Sequence, residues 1–312
     1  MTATESSQVD QGNLLIIGDL LIDRTIYCTV PKISPEAPVP VAMVEPNGII
    51  ETPGGAGLAA SYASKNNLNS IFLTAVQKNR SQFLTDHKIR AYTPKYRADI
   101  NPRKTRYIDV SSNHHLLRAD TDLMMDESVF KSEEFINKMI EGLNFIIENY
   151  NIKGIVMLDY CKGIFDDVKI PQAIIETAKE NGIFTYVDSR SEVLYKFRGA
   201  DILKLNDKEF HSALNSGNLS TTDVEHIIIT SGKDGAALMK HGKQGNVFLH
   251  EYKPDLSSYS GTPDVTGCGD VFDVTFCWYY CIKELSVEEA IDTASKDATH
   301  FAYQPIKERL TC

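Results

Sequence analysis

The chain has 312 residues, 42% hydrophobic and 24% charged, with a formal net charge of −10 at neutral pH. That length holds one large α/β domain or two small ones, and an acidic balance with no basic block excludes a nucleic-acid backbone reader. No apolar run reaches roughly 20 residues, the length of a membrane span, and the polar start MTATESSQVDQGN lacks the pattern of a signal peptide, so a cytoplasmic protein is expected.

After a polar N-terminal stretch, NLLIIGDLLID reads as a short buried strand ending at Gly18-Asp19. Residues 25–52 follow, where prolines at 31, 35, 38 and 40 forbid a helix and VPVAMVE alternates like a half-buried strand. GLAASYASKNN, just past Gly54-Gly55, is a helix of small residues. Residues 103–121, RKTRYIDVSSNHHLLRADT, alternate on either side of a turn at 111–113. These two alternating pieces predict a small separate sheet, discontinuous in sequence. Then come a helix in SEEFINKMIEGLNFIIENY, a strand in GIVMLDY, a helix in PQAIIETAKENG, and strands in FTYVDS, ADILKLN and HIIITSG. Helices in VFDVTFCWYYCI and SVEEAIDTASKDATHFAY complete the chain. Alternating β and α elements with near-continuously apolar strands predict a doubly wound α/β fold with a parallel sheet covered on both faces.

Ligands of open α/β sheets sit at the C-terminal ends of the strands, and polar residues gather there: Asp19 and Asp23, Asp159 and Lys162, Asp188 and Arg190, Asn206 and Glu209, and Thr230 to Gly235. The stretch DVTGCGDVFD, residues 264–273, puts Asp270 behind Gly267 and Gly269 at the start of an apolar helix. Two readings of Asp270 stand side by side. It is a helix cap, or it is a base beside an anion hole made by glycine-flanked amides. Amides, lysines and acids suit phosphoryl transfer, although neither a P-loop nor a protein-kinase signature is present. Six cysteines without paired C-x-x-C spacing indicate neither zinc nor a disulfide framework.

DVTGCGDVFD resembles the D-T-G-A-G-D signature of the ribokinase-like (PfkB) carbohydrate kinases, TPGGAGLAASYAS their Gly-Gly motif, and NDKE their N-x-x-E motif. Within that family GDLLIDR, KISPEAPVPV, KTRYI, LDYCKG and FRGADILKLNDKEF look most like the D-glycero-β-D-manno-heptose 7-phosphate kinases. The resemblance implies one three-layer α/β/α kinase domain over 13–311, a β-sheet lid from about 25–52 and 103–121, and a disordered tail at 1–12. It implies ATP and Mg²⁺, a sugar phosphate as acceptor, and a homodimer formed through the lid. Asp270 would be the catalytic base, and the amides of Gly267, Cys268 and Gly269 the anion hole. Lys204, Asn206, Thr230, Gly232 and Gly235 would face the nucleotide, with Asn206 and Glu209 organising the metal. Asp23, Gly54, Gly55, Arg106 and Lys162 would hold the sugar phosphate, with Asn113 and Arg118 reaching in from the lid.

Three departures fall on the sugar side. Leu58 stands where the Gly-Gly motif usually continues to an asparagine, His114 and His115 replace two glutamines, and TAVQKNRSQFLTDHKIRAY is shortened. They leave open a kinase for another sugar. An idle binder of nucleotide or sugar phosphate is the remaining alternative, against which the retention of Asp270 argues.

Overall fold

Residues 14–17, Leu-Leu-Ile-Ile, are completely buried, alternate side chains entering two different cores. The computed structural model describes residues 12–76, 81–94, 102–112, 114–121, 127–242, 245–304 and 309. In chain order its strands are β1 (Asn13–Gly18), β2 (Leu20–Ile33), β3 (Pro40–Gly55), β4 (Ser70–Leu73), β5 (Ala91–Tyr92), β6 (Arg103–Asp109) and β7 (His115–Thr121). β8 (Ile152–Asp159), β9 (Phe184–Ser189), β10 (Ile202–Asn206), β11 (His226–Thr230), β12 (Ala236–Lys240) and β13 (Val247–Tyr252) follow. The helices are α1 (Ala56–Lys65), α2 (Ser81–Asp86), α3 (Glu127–Phe130), α4 (Glu133–Asn149), α5 (Lys169–Glu180), α6 (Asp207–Ser216), α7 (Cys268–Cys281) and α8 (Val287–Tyr303).

One sheet runs β13-β12-β11-β10-β9-β8-β1-β4-β5, parallel from β11 to β5 and antiparallel at the β12 and β13 edge. The alternating β/α reading accounts for the parallel part. The antiparallel hairpin is additional, and its last strand exposes Val247, Phe248 and Leu249. On one face Leu15, Ile17, Met157 and Leu203 pack with α4, α5 and α6; on the other Leu14, Ile16, Val156 and Ile228 pack with α1, α7 and α8. Each such buried side chain contributes about 1.5–3 kcal/mol. Three layers result.

The alanines of α1 (56, 59, 60 and 63) are buried and keep that helix close to the sheet. A side chain at Gly57 would put its Cβ 2.4 Å from Leu20 Cδ1. α7 is buried along Asp270–Trp278 and lies between α1 and α8. Such burial on all sides explains its nearly unbroken apolar sequence.

A second sheet, order β3-β2-β6-β7, combines the two alternating pieces of the sequence. β2 and β3 run beyond the expected 25–52, reaching Leu20 at one end and Gly55 at the other, because β2 starts one residue after β1 ends. β2 pairs parallel with β6, Asp23 opposite Lys104 and Thr25 opposite Arg106. This pairing brings a carboxylate and two cations from distant segments to one sheet face. Of the expected N-terminal tail at 1–12, residues 1–11 lie outside the described residues, as does Asn113; Gly12 is described and buried.

Candidate active site

The C-terminal ends of β9, β10 and β11 and the N-terminus of α7 line a cavity of about 440 Å³. Its wall includes Tyr160, Arg190, Lys204, Asn206, Glu209 and Asp270. Gly267 is the N-cap of α7, in the left-handed region at φ 83°, and no side chain caps the helix. Cys268, Gly269 and Asp270 form the first helical residues, whose N–H groups have no partner inside the helix. The helix dipole adds partial positive charge at the same point.

Asp270 is therefore not the cap. It is the third residue of the helix, 6% exposed, and one carboxylate oxygen accepts a hydrogen bond from the Tyr160 hydroxyl. Burial pushes its carboxyl up to about 6, against the lowering effects of the Tyr160 hydrogen bond and Arg190. Such a group is ionised near pH 7 yet close enough in pKa to accept a proton. The Arg190 guanidinium lies 4.0 Å from the Tyr160 ring centroid, and the Lys104 ammonium 5.4 Å from it. The 160–164 loop that carries Tyr160 is held by Asp19, which accepts N–H bonds from Tyr160 (3.0 Å), Lys162 (3.1 Å) and Ile164 (3.1 Å). Burial, with help from Asp159, pushes the Asp19 carboxyl up to about 7.

Lys204 lies directly under the hole. Its Nζ would be 3.3 Å from a Cβ added at Gly269. The ammonium donates to Asp188 at 2.9 Å and lies 3.4 Å from Asp273, all three groups being buried. Burial pushes the Asp273 carboxyl well above its ordinary range. It also acts to raise Asp188, but the Lys204 charge together with hydrogen bonds from Asp273 and Lys204 and the Arg190 charge holds Asp188 low. Within the cluster the Lys204 ammonium favours the charged form of Asp188, and burial favours the neutral form of Asp273. Lys204 lies beneath the first turn of α7.

Asn206 and Glu209 form a capping box at the start of α6: Asn206 Oδ1 accepts from Glu209 N at 3.0 Å, and Glu209 Oε2 accepts from Asn206 N at 2.8 Å. Both also line the cavity, so the helix-start and ligand-facing readings hold together. Burial raises the Glu209 carboxyl, against the lowering effects of the Asn206 N–H bond and of the Lys204 and Arg190 charges. Among the described residues no group of three or more His, Cys, Asp or Glu could cage a metal ion. The donors fit Mg²⁺, which keeps most of its waters and binds through one or two carboxylates and substrate phosphates. Thr230, Gly232 and Gly235 line the same cavity. Gly235, at φ 102°, brings the backbone so near Tyr252 that a Cβ would lie 1.8 Å from its carbonyl oxygen.

A second cavity of about 470 Å³ opens between the small sheet, α1 and α8. Asp23, Leu58, Arg106, His115, His300 and Arg309 belong to its lining. Arg106 Nη1 donates to Asp23 Oδ1 at 2.8 Å. Gly54 gives the Asp23 carboxylate room, since a Cβ there would come within 2.4 Å of Oδ2. Gly55, at φ 59°, turns the chain into α1 against Leu21 and Tyr160. Leu58 packs on Gly267, where a Cβ would meet its methyl groups at 2.9 and 3.0 Å. Arg118 and Lys162 line neither cavity. The Arg118 guanidinium is held by Asp120 on its own strand, at 2.8 and 2.6 Å.

The sequence reading singled out Arg190 only as a strand-end cation, and passed over Tyr160 and Lys104 as members of larger motifs. The signal available for Tyr160 was its place immediately after a buried strand-end aspartate.

The overall architecture matches solved structures of sugar kinases. Arabidopsis thaliana ribokinase, complexed with ribose and ATP, superposes with a TM-score of 0.65 over 96% of both chains at 12% identity. Escherichia coli phosphofructokinase-2 in complex with fructose-6-phosphate gives 0.68 over 96% of this chain and 95% of that one, at 15% identity. The chain has the ribokinase-like fold. By sequence it is similar to the bifunctional protein HldE of Rhodopseudomonas palustris (28% identity over 286 residues) and of Escherichia coli (29% over 273 residues). These alignments cover 85% and 84% of this chain but 55% and 54% of those proteins, so the chain spans about half the length of the curated relatives it matches. No family model matches the sequence. No helix among the described residues is long and apolar enough to cross a membrane.

Proposed function

We propose that this ribokinase-like protein is an ATP- and Mg²⁺-dependent sugar kinase acting on the anomeric hydroxyl of D-glycero-D-manno-heptose 7-phosphate, giving the 1,7-bisphosphate. The observation that carries the kinase reading is the buried Asp270, with its pKa pushed up to about 6, beside the amides of 267–269 at a helix N-terminus that no side chain caps, where the Cys268 N–H donates to the Val265 carbonyl at 3.3 Å. The similarity to HldE and the KISPEAPVPV stretch support the heptose.

In this mechanism Asp270 takes the proton of the acceptor hydroxyl as its oxygen attacks the γ-phosphorus. The bond from that phosphorus to the β,γ-bridging oxygen breaks, and ADP leaves. The amides of 267–269 face the transferring group, Arg190 supplies a cation beside the base, and Thr230, Gly232 and Gly235 accommodate the nucleotide. Bound Mg²⁺, its waters held by Asn206 and Glu209, would neutralise phosphate charge. Asp23 and Arg106 would orient the sugar, with Lys65 and His300 in the same cavity suited to its phosphate. The small sheet would act as a lid and pair two subunits in the cytoplasm. Exposed Met43, Val44, Ile49, Leu116 and Leu117 on its strands support such pairing.

A second reading, another phosphorylated or free sugar, is favoured by Leu58, which puts an apolar group in the sugar-side cavity. The test is ADP release with heptose 7-phosphate, fructose 6-phosphate, fructose 1-phosphate, sedoheptulose 7-phosphate, ribose and adenosine, with Asp270→Asn as the blank. Turnover confined to heptose 7-phosphate supports the first reading. Turnover on another acceptor moves the substrate and keeps the mechanism. Silence across the panel with ATP still bound removes the kinase reading.

A further inference from the structure

Behind the anion hole a guanidinium fills a nest of oxygens. Arg309 Nη1 donates to the Asp264 carbonyl at 2.8 Å, Nη2 to the Ala302 carbonyl at 2.5 Å, and Nε to the Gln304 carbonyl at 2.9 Å. Nη1 also lies 3.3 Å from Asp264 Oδ2, and the arginine side chain is only 5% exposed. The Phe301 ring covers it at 4.9 Å. Three main-chain carbonyls and a carboxylate converging on one point form the kind of oxygen shell that replaces water around a monovalent cation. Here the shell surrounds a fixed organic cation instead.

The oxygens belong to two segments, the C-terminal end of α8 and the loop that enters α7. That loop is otherwise held by Asp264 N–H donating to the Ala302 carbonyl at 3.0 Å, Thr266 N–H to Asp264 Oδ1 at 2.9 Å, Cys268 N–H to the Val265 carbonyl at 3.3 Å, and a weak Cys268 thiol contact to the Asp264 carbonyl at 3.8 Å. α7 then begins on a left-handed glycine with no side-chain cap. The position of the amides at 267–269 therefore depends on what gathers Asp264 toward Ala302 and Gln304.

We propose that Arg309 is a built-in replacement for a monovalent cation, a positioning residue whose charge fixes the loop 264–267 and so makes the protein's activity independent of potassium. The proposal rests on the kinase reading for its activity readout, but the oxygen nest stands without it. A guanidinium supplies five donors in a planar fork and keeps its charge at every working pH. It satisfies carbonyls that would otherwise need a metal ion or water, and it cannot be lost to the medium.

The test compares the natural protein with Arg309→Ala in choline, lithium, sodium and potassium chloride at one ionic strength, reading initial rate and thermal unfolding together. The natural protein is expected to show equal rates in choline and potassium. Arg309→Ala, which removes three charge-assisted hydrogen bonds, is expected to be slower in choline by about ten- to hundredfold. Potassium should restore most of that rate, lithium little, and potassium should raise the unfolding temperature of the variant alone. Activation of the natural protein by potassium would overturn the proposal. So would a variant equally impaired in every salt while still binding ATP, because Arg309 would then serve only packing. If the natural protein phosphorylates no sugar, the kinase reading fails, and the potassium-specific unfolding shift of Arg309→Ala still decides the nest. If that variant does not fold, the cation response of the natural protein decides.

Discussion

Replacing Asp270 by asparagine should make the protein more stable and nearly inactive at once. The carboxyl is buried and its pKa is raised from 3.8 to about 6. The folded state thus holds the proton more tightly than the unfolded chain, so ionisation of Asp270 opposes folding as pH rises. Above both values the opposition is the full shift of about 2.2 units, or about 3 kcal/mol at about 1.36 kcal/mol per unit. At pH 5, where the folded carboxyl is mostly protonated, it falls to about 1.5 kcal/mol. Asparagine keeps an oxygen for the Tyr160 hydroxyl and removes the charge, so it should recover most of these amounts. At pH 8 the unfolding temperature should rise by about 5 °C, with a gain about half as large at pH 5. Loss of the general base should lower kcat by about 10²–10⁴-fold with ATP binding retained. Calorimetry at the two pH values and ADP release with the active acceptor read both effects. A variant with near-normal turnover would show that Asp270 is not the base. An unchanged unfolding temperature at pH 8 would show that the carboxylate is not desolvated.

Tyr160→Phe removes the hydrogen bond that lowers the Asp270 pKa, so the acid limb of the kcat/KM profile should move to higher pH; a profile identical to that of the natural protein would deny the contact any influence on the base. Lys204→Met leaves the buried Asp188 carboxylate without its cation and should cost about 3–5 kcal/mol at pH 8 in urea unfolding. Because Lys204 holds the Asp188 pKa below its ordinary range, that difference should shrink as acid protonates Asp188; a pH-independent difference would point to lost packing alone. Gly235→Ala forces a Cβ to 1.8 Å from the Tyr252 carbonyl at φ 102°, and should destabilise by about 1–3 kcal/mol while weakening nucleotide binding, both measurable by thermal unfolding with and without ATP.

Much of the scaffold was legible because its signals are local. Uninterrupted apolar runs such as 14–17 and 155–158 mark strands covered on both faces, and the alternation in 103–121 marks a half-covered sheet. The glycines around Asp270 are equally local. DVTGCGDVFD by itself could not show that Gly267 and not Asp270 is the N-cap, nor that Asp270 accepts from a hydroxyl 110 residues away. Lys204 read as a ligand for the nucleotide, yet its ammonium is committed to Asp188 and Asp273, which come from another strand and from α7. Arg309 carries no motif at all; its meaning comes only from three carbonyls brought together by packing α8 against the loop before α7.

Lys204, Asp188, Asp270 and Asp273 are buried, Arg190 is exposed beside them, and the charge balance of this cluster changes during the proposed reaction. Before phosphoryl transfer, Lys204 is matched by Asp188, burial favours the neutral form of Asp273, and the remaining carboxylate of Asp270 faces Arg190 across the Tyr160 ring. The charges of Lys204, Asp188, Arg190 and Asp270 sum to about zero, which limits the cost of holding the buried ones away from water. When Asp270 accepts the acceptor proton its charge disappears, and the cluster becomes positive by one unit. At that moment the negative charge of the transferring group lies over the amides at 267–269, directly above Lys204. Proton transfer to the base therefore strengthens the hole electrostatically without any movement of the backbone. The same reasoning explains why the base is seated inside the first turn of α7: a carboxylate farther along the helix would change the field at the hole less when neutralised.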